Sequence, residues 1–381
     1  MKHWLLSVLL VVCGTVSAQI TLVKDGKSSA RIIVQDKMPN SKTSAQFLQR
    51  FLTEISGVAL PIENDKTPRK GDILIGGQSS AEVTEDGFSI STQDGILKIS
   101  GKENGVVYGV VTLLEQYLGI NYWGENEYSL TPSKTVNLPF INKVENPGFR
   151  YRQTQCYAIH TDSIYKWWNR LEEPNEVFAA GYWVHTFDKL LPSSIYGKEH
   201  PEYYSYFKGK RHPGKASQWC LSNPEVFEIV AQRVDSIFKA NPDKHIMSVS
   251  QNDGNYTNCT CDACKAIDDY EGALSGSIIT FLNKLAARFP DKEFSTLAYL
   301  YTMNPPKHVK PLPNVNIMLC DIDCDREVTL TENASGKEFV KAMEGWSKIT
   351  NNIFVWDYGI NFDNYLAPFP NFHILQDNIR L

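Results

Sequence analysis

The sequence predicts an α/β fold: a small α+β domain followed by a TIM-like (β/α) barrel that is incomplete at its C-terminus. Three observations carry this. Residues 21–145 mix period-two runs, helical spacing and a hairpin signal. From residue 146 the rhythm becomes strand, loop, helix, which implies a parallel sheet, because parallel strands need a crossover between them. Seven strand signals follow, one short of an eight-fold barrel, and the chain ends inside a helical pattern with no stop signal.

Residues 1–18 read as a signal peptide. Lys2 gives a positive start, Trp4 to Val12 is an apolar run too short to cross a bilayer, and Val16-Ser17-Ala18 is a small-residue cleavage pattern. The expected location is therefore exported, periplasmic or secreted. Residues 19–145 form the small α+β domain. Ala30 to Val34 and Ile73 to Ile75 read as strands. Phe47, Leu48, Phe51, Leu52 and Ile55 share one helical face, with Gly57 just past its end. Phe88 to Thr92 and Ile96 to Ser100 flank Asp94-Gly95, a hairpin signal because both turn residues tolerate positive φ. Asn104-Gly105 then opens a helix whose buried stripe is Val106, Val107, Val110, Val111, Leu114 and Leu118, closed by Gly119.

Val144-Glu145-Asn146-Pro147-Gly148 is the expected linker, and residues 146–381 the expected barrel domain. Its strands are read at Phe149 to Gln155, Gly181 to His185, Gln218 to Leu221, His245 to Ser250, Phe294 to Tyr299, Val315 to Leu319 and Ile353 to Trp356. Asn223 with Pro224 starts a helix carrying Val226, Ile229, Val230, Val234 and Phe238 on one face. Ser275 to Arg288 and Phe339 to Ile349 are helical, and Asn371 to Leu381 starts a further helix. At least one more strand–helix unit is expected beyond this sequence.

The net charge is −5 with no basic run, which argues against nucleic acid as a partner. No later stretch is long and apolar enough to span a membrane. Gly76-Gly77 follows a strand but lacks the rest of a phosphate loop, and no cofactor is expected. Of eight cysteines, Cys13 leaves with the signal, so an odd number remain. The Cys259-x-Cys261-x-x-Cys264 cluster has three readings: structural zinc with a fourth ligand from Cys220 or Cys320, a disulfide to a distant cysteine, or reduced buried thiols. The spacing assigns no metal.

In a strand–helix repeat, side chains at the C-terminal ends of the strands stand over an open cleft while the sheet holds them still. The run Ser248-Val249-Ser250-Gln251-Asn252-Asp253-Gly254 ends a strand on an amide, an acid and a glycine, so Asp253 is a candidate acid or base. The rival reading of Asp253 is a turn cap. Asp321 follows the sixth expected strand and Asp357 the seventh. Asp323, Asp325 and Arg326 read as a surface ion-pair cluster. Aromatic residues are plentiful, at 12%, and suit the flat C–H faces of sugars as well as ordinary core.

The residues also carry a family likeness. Ile73-Leu74-Ile75-Gly76-Gly77, the run NGVVYGVVTLLEQYLG and Asn146-Pro147-Gly148-Phe149-Arg150-Tyr151-Arg152 resemble the N-terminal domain of bacterial α-glucuronidases and the entry into their barrel. A similar small domain precedes the barrel of β-N-acetylhexosaminidases. The runs GYWVHTF, HPEYYSYFKGKRH, QWCLSNPE, SVSQND with CTCDAC, and VWDYGINFDNYLAPFPN resemble an exported bacterial family known as domain of unknown function 4838.

That resemblance implies a glycosidase-like barrel acting on an oligosaccharide or polysaccharide. Glycoside hydrolysis needs one group to protonate the leaving oxygen and another to receive or stabilise the anomeric carbon. Asp253 is the implied proton donor, with Asp321 or Asp357 as base or nucleophile. Related hexosaminidases end the same strand on an acidic pair, where this chain has Asn252-Asp253; an amide can orient an acetamido group but carries no charge. Expected sugar contacts are Arg152, His185, Asn252, Tyr299, Trp356 and Tyr358, with Arg152 also open to an internal salt bridge. The rival function is a non-catalytic carbohydrate-binding protein on a glycosidase scaffold.

Overall fold

The computed structural model describes residues 20–35, 39–369 and 371–381. The expected signal peptide lies outside the described residues. The chain divides into two compact units, Met1–Glu173 and Pro174–Leu381. The division falls later than the 145/146 boundary read from the sequence.

The first unit is built on a six-stranded mixed sheet with the order Asn142–Glu145, Phe88–Gln93, Ile96–Gly101, Ile73–Ile75, Ile32–Val34, Ile62–Asn64. The expected hairpin forms, with Asp94 at φ 55° and Gly95 at φ 75°, the paired left-handed residues whose twist matches the strands. Helices Pro39–Ser56 and Gly105–Thr112 contribute Leu48, Phe51, Leu52, Val107, Val110 and Val111 to one apolar core with Ile32, Ile73, Ile90 and Ile99. Gly109 sets the closeness of that packing: a Cβ there would lie 2.7 Å from Ile99 Cγ2.

The segment Phe149 to Gln155 is not a strand. Its alternation finds no sheet neighbour; instead Glu172 N donates to Arg152 O at 2.8 Å. The short helices Ala158–Thr161 and Ser163–Trp168 follow, and Trp168 packs with Phe47, Phe51 and Tyr122 in the first unit's core.

The second unit is built on four parallel strands that neighbour one another in chain order: Ile246–Ser248, Glu293–Ala298, Val315–Cys320 and Ile353–Trp356. The third is buried at every residue, as a parallel strand covered on both faces should be. Helices Pro224–Ala240, Gly276–Arg288 and Ala334–Ser347 pack Val230, Val234, Ile279, Leu282, Phe339 and Trp346 against Met247, Phe294, Ile317 and Leu319. Asn223 caps the first of these helices by accepting from Glu225 N at 2.9 Å, and Asn333 caps the last by accepting from Gly336 N at 2.6 Å.

Two further expected strands are not regular strands. Gly181 at φ 81° and His185 at φ 50° break the extended path of their segment. It still runs beside the first parallel strand: Phe178 bridges Ile246, Ser248 N donates to Tyr182 O, and Thr186 N to Ser250 O. Gln218 to Leu221 pairs antiparallel with the Tyr203–Ser205 stretch instead, through a bridge between Tyr204 and Trp219. Among the described residues the parallel sheet stays open at four strands. Its last strand is paired on one side only, and Val355 on it is 53% exposed.

Phe294 is fully buried, with the rings of Phe238 and Phe289 against it. Phe294→Ala is expected to destabilise the second unit by about 3–5 kcal/mol, as removal of a core aromatic does. Urea unfolding followed by tryptophan fluorescence checks this, and a loss below about 1 kcal/mol would show that the site collapses around the cavity.

Candidate active site on the parallel sheet

The C-terminal ends of the four strands bring the candidate residues of the second unit onto neighbouring loops. After Ile246–Ser248 the chain is tied down by neutral amides. The Gln218 side chain pairs with the Asn252 backbone in both directions, accepting from its N at 3.0 Å and donating to its O at 2.8 Å. The Asn252 side chain donates to Ser217 O at 2.6 Å and accepts from Asp188 N at 3.3 Å. Gln251 donates to Leu297 O and to the Thr302 hydroxyl. Asn252 is therefore buried and engaged in holding the loop, whereas its expected role is a sugar contact.

Asp253 follows these ties and stands exposed. Its Oδ1 accepts from the Tyr299 hydroxyl at 3.1 Å. Tyr299, at the end of the second strand, is buried; burial first, and then the charge of Asp253, pushes its phenol above the ordinary range and keeps it protonated. The His185 ring meets Tyr299 edge-on at 6.3 Å. His185 Nδ1 lies 2.9 Å from Gln251 O. A carbonyl only accepts, so Nδ1 carries a proton and Nε2 lies outside this bond.

The loop after Val315–Cys320 holds the other carboxyls. Asp321 is 4% exposed and paired with Arg326, itself 9% exposed. Arg326 also donates to Asp321 O at 2.6 Å and to Tyr358 O at 3.1 Å, and its Nε lies 3.5 Å from Asp357 Oδ1. Its guanidinium lies 5.4 Å from the centre of the Tyr358 ring. Burial, then the negative charge of Asp357, pushes the Asp321 carboxyl upward; Arg326 opposes this only in part. Two carboxyls thus share one cation, and the buried one favours its protonated form. Asp357 remains exposed and receives the Tyr358 backbone N–H at 2.7 Å.

The surface-cluster reading of Arg326 is corrected by its burial, although Asp323 and Asp325 are exposed as expected. Trp356 and Tyr358 belong to a ring ladder with Trp183, which stacks on Trp356 at 5.0 Å; Trp356 and Tyr358 stack at 6.0 Å. Trp183 was not singled out by sequence, though it sits in the aromatic run before His185 that points to this surface. Its indole N–H is buried with no partner among the described residues. Burial pushes the Tyr358 phenol above its ordinary range as well.

Arg152 belongs to the first unit, where its guanidinium donates to Asp86 Oδ2 at 2.6 Å, Arg170 O at 2.8 Å and Phe149 O at 2.6 Å. An open depression of about 390 Å³ beside Arg326 is lined by Cys324, Asp325, Glu327 and Phe369, and Asp253 does not line it.

The family described as Domain of unknown function (DUF4838) matches residues 122–381. No curated protein matches significantly. Among solved structures, the GH20 β-N-acetylhexosaminidase of Streptomyces coelicolor A3(2) is similar with a TM-score of 0.50 at 9% identity, covering 92% of this chain and 76% of that one. The β-N-acetylhexosaminidase of Bacteroides fragilis NCTC 9343 follows with a TM-score of 0.48 at 9% identity, over 93% and 76%. At such identity the likeness concerns fold, and it adds no residue roles. Among the described residues no helix is long and apolar enough to cross a membrane.

Arg326→Met leaves two carboxyls beside one another without their cation. At about pH 9, where Asp321 is ionised, the expected loss of stability is about 3–5 kcal/mol. Because the folded state already favours protonated Asp321, stability falls as pH rises through its raised titration range. The penalty of the variant should therefore shrink toward about pH 6, where Asp321 holds its proton with or without the cation. Urea unfolding at both pH values checks the sign.

Proposed function

We propose, for a chain that belongs to the family Domain of unknown function (DUF4838), that it is an exported glycoside hydrolase, α-glucuronidase-like or hexosaminidase-like. Its substrate is an oligosaccharide or polysaccharide, and its working groups are Asp253 and Asp357. One observation carries the reading: two exposed carboxyl groups follow the first and fourth strands of one parallel sheet, Asp253 held by the Tyr299 hydroxyl and Asp357 beside Arg326.

The roles follow from the neighbours of each group. Asp357 lies beside Arg326, and an exposed carboxyl next to a cation fits a base or nucleophile. Asp253 has no cation within ion-pair distance among the described residues, and its partner there is a neutral hydroxyl. In the proposed reaction Asp253 supplies the proton. That proton passes to the glycosidic oxygen as the C–O bond breaks and its electron pair goes to the oxygen. Water or Asp357 then attacks the anomeric carbon. Asp321, buried behind Arg326, positions the cation rather than meeting the sugar. The ring ladder and His185 Nε2 offer a stacking face and a hydroxyl contact.

A second reading, carbohydrate binding without turnover, is favoured by a specific observation. The residue next to Asp253 is a neutral amide, Asn252, and it is spent on holding the loop. Turnover on aryl glycosides and glycan mixtures separates the two. Under the hydrolase reading, Asp253→Asn and Asp357→Asn each lower kcat by about 10²–10⁴ while sugar binding persists. Asp253→Asn should lose least with an acidic phenol as leaving group, which departs without protonation, whereas Asp357→Asn should lose equally on all. Sugar binding with no turnover by the native chain would favour the second reading, and neither binding nor turnover would overturn both.

A further inference from the structure

We propose that Cys220, Cys259, Cys261 and Cys264 form a tetrahedral thiolate site for one structural zinc ion. The four Sγ atoms lie within 4.8 Å of one another, and Cys220 Sγ and Cys261 Sγ are 3.6 Å apart. Four sulfurs around zinc at about 2.3 Å stand roughly 3.8 Å apart along each tetrahedral edge, so the cluster already has the size of the coordination sphere. All four cysteines are free, and three are buried. Four sulfur donors in tetrahedral reach select zinc over oxygen-seeking cations.

The surroundings are those of a ligand shell. Tyr206 N donates to Cys259 Sγ at 3.3 Å, and Arg211 Nη1 reaches the same sulfur at 3.6 Å. Such donors orient thiolates and offset the net negative charge of a four-thiolate zinc site. Cys261 is the N-cap of the Asp262–Glu271 helix, with Cys264 in its first turn, so the helix N-terminus faces both sulfurs. Ser222 Oγ lies 3.1 Å from Cys264 Sγ. Of the two distant cysteines that the sequence offered as a fourth ligand, Cys220 is the one in place. Cys320 sits at the end of a parallel strand with its Sγ toward Met318 O.

The step balances simply: four thiols release four protons as one zinc ion binds, with no change of oxidation state. The site would fasten the far end of the loop that carries Asp253, since Cys259 lies a few residues beyond it and Cys220 follows Trp219 in a different segment. This structural claim stands whether or not the surface hydrolyses a glycoside.

The test uses the full chain purified under reducing conditions without chelator. Elemental analysis is expected to give one zinc per chain, with the four thiols unreactive to a thiol reagent until the metal is stripped. Cobalt(II) added to the metal-free, reduced chain should give the visible absorption of a tetrahedral thiolate centre. Arg211→Ala keeps every ligand and should weaken zinc binding by about 10–100-fold. A chain that contains no zinc, takes up no cobalt and reacts freely at all four thiols would overturn the site. So would disulfides linking these cysteines in non-reducing peptide mapping. Loss of glycoside turnover alone bears on the hydrolase reading and leaves the metal count unaffected.

Discussion

The buried guanidinium of Arg326 is the interaction on which the candidate surface depends. The last backbone bond between the third and fourth parallel strands runs from Asp321 N to Trp356 O at 3.2 Å. Beyond it the two strands have no ladder left. Arg326 continues the connection with its Asp321 pair and its donation to Tyr358 O. A cation removed from water is costly unless its donors are satisfied, and here carbonyl and carboxyl oxygens from both strand ends do so. The arrangement holds Trp356, Asp357 and Tyr358 in place. It also joins two carboxyls to a single positive charge, which leaves the buried Asp321 favouring its proton.

The first strand reaches the same surface by different means. Its end is fixed without any charge, by side-chain amides that imitate strand pairing: Gln218 against the Asn252 backbone, and Gln251 against Leu297 and Thr302. Neutral ties leave the local electrostatics uncommitted. Asp253 emerges from them exposed, in contact with a phenol that stays protonated. The two carboxyls proposed to act on the sugar therefore stand in different electrostatic settings, one beside a cation and one beside a neutral donor. Acid–base chemistry on a glycoside requires that difference.

Local signals in the sequence were legible where local physics decides the outcome. Asp94-Gly95 turns because its residues accept positive φ, and Asn223-Pro224 starts a helix because the cap and the ring fit the first turn. The apolar runs at Met247, Leu297, Ile317 and Val355 are strands in the structure. Legibility failed where a distant partner decides. Phe149 to Gln155 alternates like a strand, but Glu172 takes its backbone bond. Gly181 to His185 lies beside the sheet without joining it regularly, because two residues turn left-handed. Arg326 among aspartates looks like a solvated cluster, since a charge pattern carries no record of burial. Cys220 and Cys320 were equal candidates until the fold set one beside the cluster.

The central claim concerns where a sugar sits, and a crystal structure of the intact protein with a bound monosaccharide or iminosugar tests it most directly. The expected result is an anomeric centre between the two carboxyls, with Asp253 in hydrogen-bond reach of the glycosidic oxygen position and Asp357 across the ring. Their separation should be about 5 Å for a retaining reaction or about 6.5–9.5 Å for an inverting one. A sugar bound away from both groups, or carboxyls that stay roughly 12 Å or more apart around it, would contradict the claim.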